Sequence, residues 1–381
     1  MRILVLNYEF PPIGGGGGRF TADLCRHLTR FGHDLRVQTS WFRGLPVHEI
    51  REGYEIYRTW AGRRQAHTCT VPEMALFLAT NLVPALRHTA SWRPRVVNVH
   101  FAVPTGVLAW IIRQTVGTPY VLSAQLGDVP GGVPLQTDHL FRWLKPFTTP
   151  IWRDAAAVTV PSAEVAGLVQ RAYGLAAHVI PNGVELEALN PQPLQVHKPI
   201  RLVFVGRFSP QKNLVFLLEV LEKLRDLDWR LDLVGDGPLR RELENRGRRE
   251  GLAGRIYFHG WVTPEVATAI MRHSDLLVMP SLSEGLPLVG LQALGLGLAL
   301  ATSDHRSFQD IVQDGHNGFF CPVTDSDVFA RRLRDILANP PVLLAMKRAS
   351  LEMAPRFEAG KVARQIEELL LVAGNPAGGG D

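Results

Sequence analysis

Arg207 and Lys212 stand five residues apart in RFSPQKN, Glu284 lies in SLSEGLPL, and Gln292 follows it by eight positions. Arginine holds phosphate oxygens through parallel N–H donors and lysine adds a compact charge, so around a turn the first pair could converge on one diphosphate. Two solvated surface cations would have the same spacing. Glu284 precedes Pro287, a residue type suited to a first helical turn. Its charge would either favour the positive end of that helix or accept hydrogen bonds from sugar hydroxyls, next to backbone amides able to hold phosphate. Gln292 sits in a stretch, Leu286 to Thr302, without a single charge. A buried carboxamide needs partners, which backbone groups or the hydroxyls of a ribose would supply.

Further candidates lie in the first half of the chain. The run Gly14 to Gly18 follows an apolar strand pattern and precedes a helical one. Small residues there would let an anion or a sugar approach the amides of a helix start; a flexible surface loop is the plainer alternative. Arg19 and Phe20 break the glycine spacing of a dinucleotide fingerprint, and no Gly-Lys-Ser/Thr closes a phosphate loop. His100 ends the strand pattern RVVNVH. It is placed to reach a cleft, although a satisfied structural histidine is the favoured reading of a lone His. Asp226-Leu227-Asp228 and Asp325-Ser326-Asp327 could hold a metal bridging a diphosphate. Both are rejected as metal sites, since such triplets are common and the second has the form of a helix cap. Cys25, Cys69 and Cys321 are scattered, neither a disulfide framework nor a metal cluster.

The elements that must position these residues alternate. RILVLNY, DLRVQTS, RPRVVNVHF, PYVLSAQ and AAAVTVPS read as strands, with helices at TADLCRHLTRFG, TGVLAWIIRQTVG and residues 138–153. Pro191, Pro193 and Pro199 then crowd one short segment, and the pattern restarts at IRLVFVG. Alternating strands and helices imply a parallel sheet, and a proline-rich break implies a domain boundary. The expectation is an α/β chain of two Rossmann-like doubly wound domains facing across a cleft. The first spans 1–190, a linker 191–199, and the second 200–360. A C-terminal helix at 361–374 would pack back on the first domain, ahead of a disordered tail at 375–381. Ligands of such sheets bind beyond the carboxyl ends of the strands.

Composition narrows the partners. Of 381 residues 46% are hydrophobic and 20% charged, with a formal net charge of +5, a soluble balance that favours anionic ligands. No dense Lys/Arg run selects nucleic acid. The uncharged stretch is short for a membrane span, and Pro287, Gly290, Gly295 and Gly297 interrupt it; it reads as a helix from Pro287 to Leu294, a turn and the strand LALATS. The opening MRILVLNYEF lacks the parts of a signal peptide, which points to the cytoplasm. Residues 138–153, DHLFRWLKPFTTPIWR, mix aromatics with Arg and Lys. They would rest on an acidic membrane face or, the commoner case, turn an aromatic stripe to the core.

PSLSEGLPLVGLQALGLGLALATS, VGRFSPQKN, LVGDGPLRREL, PNGVE and DIVQDGHNGFF together resemble the donor site of retaining glycosyltransferases of family 4. NYEFPPIGGGGG, VHFAVPTGVLA and YVLSAQLGDVPGG resemble its first domain, so the likeness runs in order along nearly the whole chain. It implies the GT-B architecture and a glycosyltransferase of the hexosyltransferase class that moves a sugar from a nucleotide donor, linked to UDP, GDP or ADP. The acceptor would be a glycan, a lipid-linked molecule or a small molecule. Configuration would be kept, by a front-side mechanism, with no cofactor and generally no metal. Arg207 and Lys212 would neutralise the departing diphosphate. Glu284 would bind hydroxyls of the donor sugar, and the backbone at Gly285, Leu286, Pro287 and Leu288 would hold phosphate. Gly14, Gly15 and Gly16 would close over the donor, and Gly235, Asp236 and Val262 would lie by the base.

Two positions depart from the family. Its second carboxylate, eight residues after the first, is Gln292, which can bind ribose only without charge assistance. A position often His is Gln125, which cannot titrate. His100 or Asp128 would then supply the acid/base or polarising role of the first domain, His100 counting with Glu284, Arg207 and Lys212 as catalytic, and Gln125 and Asp128 would bind the acceptor. The departures keep a second reading open, a nucleotide-sugar-binding protein without transfer activity. The expected setting is cytoplasmic, with or without a peripheral contact on the inner membrane face.

Overall fold

A computed structural model describes residues 1–66 and 68–375. The chain forms two compact units, Met1–Gly183 together with the chain from Ala359 onward, and Val184–Glu358. The first join therefore lies at Gly183/Val184, ahead of the prolines, and residues 191–199 belong to the second unit. The tail expected at 375–381 falls, past Asn375, outside the described residues.

In the first unit the strands are β1 (Arg2–Leu6), β2 (Asp34–Trp41), β3 (His48–Arg51), β4 (Tyr54–Trp60), β5 (Val96–His100), β6 (Tyr120–Ser123), β7 (Ala157–Val160) and β8 (His178–Val179). They are interleaved with α1 (Gly16–Arg30), α2 (Val71–Trp92), α3 (Thr105–Val116), α4 (Pro134–Arg153) and α5 (Ala163–Tyr173). The sheet order is β3-β4-β2-β1-β5-β6-β7-β8, parallel except for the β3–β4 hairpin. Because the chain leaves β1 to one side and returns to its other side at β5, the strand order reverses between these two. All five residues of β5 are buried, as a strand covered on both faces requires.

The second unit holds α6 (Leu186–Leu189), then β9 (Ile200–Val205), α7 (Leu214–Glu222), β10 (Trp229–Val234), α8 (Arg240–Arg249), β11 (Ile256–Gly260) and α9 (Pro264–Arg272). It continues through β12 (Leu276–Met279), α10 (Leu288–Gly295), β13 (Ala299–Ser303), β14 (Gly318–Cys321), α11 (Ser326–Leu337) and α12 (Pro340–Met353). Its six strands run β11-β10-β9-β12-β13-β14, and the order reverses between β9 and β12. Every residue of β12 and β13 is buried. The uncharged stretch is thus interior helix and strand, and no described helix is long and apolar enough to cross a membrane. The last helix, α13 (Ala359–Gly374), returns to the first unit. Its Val362, Ala363, Ile366 and Leu370 pack with Leu24 and Leu28 of α1.

Two local expectations fail. The glycine run is not all loop, since α1 begins at Gly16. A Cβ on Gly17 would come within 2.7 Å of the Phe101 ring, and one on Gly18 within 2.6 Å of the Glu9 carbonyl oxygen. The first helical turn therefore lies against neighbours that leave no room for a side chain, which offsets the poor helix propensity of glycine. In α4 the aromatic stripe does not face the core. Trp143 is 77% exposed and Phe147 80%, while Thr148, Ile151 and Trp152 towards the helix end are buried.

The Asp triplets have structural partners. Asp226 pairs with Arg334, Asp327 with Lys223, and Asp325 caps α11 through the amides of Asp327 and Val328.

Candidate functional site

In the second unit the loops after β9 and β12, the two strands at the reversal, lie side by side. Gln211 ties them: its Nε2 donates to the Ser283 carbonyl at 2.7 Å, and its own carbonyl accepts from the Leu282 amide at 2.8 Å. This brings Lys212 to Glu284, Nζ to Oε1, at 2.5 Å. Lys212 ends a single 3-10 turn, Pro210–Lys212, and Asn213, in the left-handed region at φ 53°, starts α7. Glu284 is only 6% exposed. Its backbone carbonyl accepts from Ser307 Oγ at 2.6 Å, which anchors the loop from the far side. Arg207 is exposed, and its guanidinium has no ion pair among the described residues.

Pro287 is the residue before the first turn of α10, with extended backbone at φ −71° and ψ 120°. Leu288 and Val289 follow in that turn, where amides lack intrahelical acceptors. Gly285 and Leu286 connect the turn to Glu284. A buried carboxylate, a lysine, an exposed arginine and helix-start amides thus gather at one end of one sheet. Such a set can hold a dianionic group through the cations and amides while the carboxylate accepts hydroxyl hydrogen bonds. Gln292, one turn into α10, is half-buried, and its carboxamide makes no hydrogen bond among the described residues.

The loop after β10 closes on the same end of the sheet. Gly235 adopts φ 129°, and a Cβ there would meet the Gly206 carbonyl oxygen at 2.0 Å. Gly206 donates its amide to Val234 at 2.9 Å, and Phe208 donates to Asp236 at 2.9 Å. Asp236 also accepts from Arg240 at 3.2 Å. Val262, half-buried, packs on the cluster that includes Leu286 and Leu291.

The first unit has its own collection at the β1/β5 reversal. Gly14, at φ 91°, donates to the Ala66 carbonyl at 2.7 Å, and the Gly15 amide faces Glu9 Oε2 at 3.4 Å. Burial raises the Glu9 carboxyl above its ordinary range, against the pull of Arg63 and the Gly15 amide. The start of α1 thus already has an anion of its own beside it. Gly15 itself is open, with nothing within 4 Å of where a Cβ would stand.

His100 is 1% exposed, lies 6.1 Å from Phe20 ring to ring, and has no hydrogen-bond partner at Nε2 among the described residues. Burial pushes its imidazole down to about 3. Asp128, buried in a short turn after β6, accepts from the Ala102 amide at 2.9 Å and the Gln125 amide at 2.8 Å. Burial nevertheless pushes its carboxyl up to about 7. Gln125, beside it, is half-buried.

Sequence reasoning passed over Gln211, Ser307 and Glu9. Gln211 and Ser307 act by bonding distant loops, which no spacing reveals. Glu9 had one available signal, a carboxylate just ahead of a glycine-rich helix start.

The description "Glycosyltransferase Family 4" matches residues 14–188, and "Glycosyl transferases group 1" matches 187–353, so the two together span most of the chain. A glycogen synthase of Mycobacterium tuberculosis is 26% identical, over 98% of this chain and 95% of its own length. Among solved structures, a sucrose-phosphate synthase from Thermosynechococcus elongatus superposes with a TM-score of 0.85 at 20% identity, covering 97% of this chain and 98% of the other. Anabaena HepE in complex with UDP superposes with a TM-score of 0.77 at 18% identity, covering 97% and 100%. Both likenesses concern the fold, which is GT-B. With its two halves matched in order by the two family descriptions, the chain belongs to glycosyltransferase family 4 and is a glycosyltransferase.

Proposed function

We propose that the protein transfers a sugar from a nucleoside diphosphate sugar to a glycan, lipid-linked or small-molecule acceptor, with retention and without a metal. The observation that carries this is the Lys212–Glu284 pair at the β9/β12 reversal, next to the start of α10. In this reading Lys212 and Arg207 meet the diphosphate, with the backbone of Gly285 to Leu288. Fixed cations and amides stabilise the charge that develops on the leaving group as the glycosidic bond breaks. Glu284 then turns from Lys212 to the sugar hydroxyls. Gln292 faces the ribose, and Gly235, Asp236 and Val262 the base. Gly14, Gly15 and Gly16 contribute to the donor site, and Gln125 and Asp128 to the acceptor site. The partnerless Nε2 of buried His100 supports a polar role for it, since such atoms are rarely left unpaired.

The donor class is supported by HepE, whose structure holds UDP. Front-side departure of the diphosphate requires no protein nucleophile, and retention follows from attack on the face it leaves.

The test is thermal unfolding with UDP, GDP and ADP and their sugar conjugates. A ligand at ~100 times its dissociation constant adds about 2.7 kcal/mol. A rise in midpoint with one nucleotide, lost in Lys212→Ala and Arg207→Ala, supports the reading. No rise with any nucleotide overturns it. Binding without nucleotide release in the presence of varied acceptors would favour the binding protein over the enzyme. Retention is read from the anomeric configuration of the product by NMR.

A further inference from the structure

The middle of α4 projects a patch that no described residue covers. Six consecutive residues, Arg142 to Phe147, are all exposed. Trp143 is 77% exposed, Phe147 80% and Leu144 38%. Trp143 and Phe147 are four apart and so share a helix face, flanked by Arg142 and Lys145. Neither cation has an ion-pair partner among the described residues; Lys145 lies only against the Tyr173 ring, at 6.0 Å. The following turn is the opposite, with Thr148, Ile151 and Trp152 buried and the Trp152 ring stacked on Tyr173 at 4.5 Å. The helix is therefore anchored at its end and presents its middle outward. Large apolar side chains left contiguous at the surface mark an interaction site.

We infer that this face of α4 docks on an anionic lipid bilayer. Two features favour lipid over protein. The apolar side chains are Trp, Leu and Phe with Arg and Lys interleaved, the composition of helices that lie in the headgroup region. The charge is complementary to acidic lipid, both locally and in the net +5 of the chain. Docking there has a use. α4 begins six residues after Asp128, and Asp138 near its start accepts from the Gly131 amide at 2.8 Å, in the loop that joins them. A membrane-bound α4 would hold the Gln125–Asp128 turn close to the bilayer, where a lipid-linked acceptor resides. This last step rests on the acceptor role proposed for Asp128; the docking itself does not.

The experiment is co-sedimentation of the full chain with vesicles of phosphatidylcholine alone or with roughly one-third phosphatidylglycerol. Binding to the anionic vesicles is expected to exceed binding to neutral ones by about tenfold or more. Trp143→Ser/Phe147→Ser and, separately, Arg142→Glu/Lys145→Glu should each lower it by about tenfold or more. These residues are at the surface, so both variants should keep the unfolding midpoint. The rise in midpoint with whichever of UDP, GDP and ADP produces one, read on the same samples, reports the nucleotide site and stands or falls apart from docking. Wild-type protein that stays in the supernatant, or variants that bind as well as wild type, overturn the inference. So does a dimer in solution that Trp143→Ser/Phe147→Ser dissociates, since the patch would then join two copies of the chain.

Discussion

Lys212 and Glu284 meet where the strand order of the second sheet reverses, Nζ to Oε1 at 2.5 Å, with Glu284 only 6% exposed. Each is the other's ion-pair partner, and each is proposed to face a different part of the donor. Donor binding would then exchange one internal pair for two external ones. Lys212→Met leaves a buried carboxylate without its cation and should destabilise by about 1–3 kcal/mol. Adding Glu284→Gln should return part of that loss, because the charge left alone is gone. Transfer should fall about 10²–10³-fold in Lys212→Met and stay low in the double variant. Calorimetry and turnover measured side by side separate the two effects. Recovery of turnover along with stability would show the pair to be structural only.

Gln292 offers a gain rather than a loss. It is half-buried on the second turn of α10, and its carboxamide has no hydrogen bond among the described residues. A carboxylate there could accept charge-assisted hydrogen bonds from ribose hydroxyls, worth about 1 kcal/mol more than neutral ones. Gln292→Glu should therefore tighten nucleotide binding by about five- to tenfold, measured by titration calorimetry with whichever nucleotide raises the midpoint. Gln292→Leu should weaken it. Unchanged affinity in both would remove Gln292 from the ribose.

The repeated α/β pattern and the identity of α10 and β13 were legible from strand and helix periodicity, and the resemblance to family 4 assigned the RFSPQKN and SLSEGLPL loops to one donor site. That Lys212 and Glu284 would touch was not. It depends on β9 and β12 being neighbours and on Gln211 stitching their loops, which are properties of the sheet order. The glycine run misled because glycine signals a loop by its local preference, while Gly17 and Gly18 are helical for a tertiary reason, the nearness of Phe101 and Glu9. The aromatic stripe of α4 misled in the same way. Burial, the usual fate of Trp and Phe, takes Trp152 and spares Trp143. The domain join at Gly183/Val184 follows the short run Pro181-Asn182-Gly183, with its single proline, and the denser prolines at 191, 193 and 199 drew the boundary away from it.

Two buried groups should pull the pH dependence of stability in opposite directions. Asp128 titrates near 7 when folded and near 4 when unfolded. Between those values the folded state binds the extra proton, so this group lowers stability as pH rises from about 4 to about 7, with no further change above. His100 titrates near 3 when folded and near 6.5 when unfolded. Here the unfolded state binds the extra proton, so stability falls as pH drops from about 6.5 towards 3. Denaturant titrations from pH 4.5 to 8 should show His100→Leu holding up better than wild type at the acid end. Asp128→Asn should remove a decline between pH 5 and 7. If Asp128 acts ionised, kcat/KM should rise with pH through about 7 and lose that limb in Asp128→Asn. It should keep it in His100→Gln, because the imidazole is already neutral there.

Gly15 and Gly18 allow folding and ligand approach to be told apart within one loop. A Cβ on Gly18 would stand 2.6 Å from a backbone oxygen, of Glu9, which cannot swing aside. Gly18→Ala should therefore destabilise by about 1–3 kcal/mol through overpacking, seen as a lower unfolding midpoint. A Cβ on Gly15 would meet nothing within 4 Å, although the backbone there, at φ −123° and ψ −144°, lies beyond the broad β region that L-residues prefer. Gly15→Ala meets no clash, so it should lower the midpoint less than Gly18→Ala does, the backbone cost being partly offset by the lost freedom of the unfolded chain. If the Gly14–Gly16 loop approaches the donor closely, the same Gly15→Ala variant should still lower kcat/KM by about tenfold or more, the methyl group holding off a ligand that now reaches the bare backbone. Full activity in a stable Gly15→Ala variant would assign the glycine run to the packing of α1 alone.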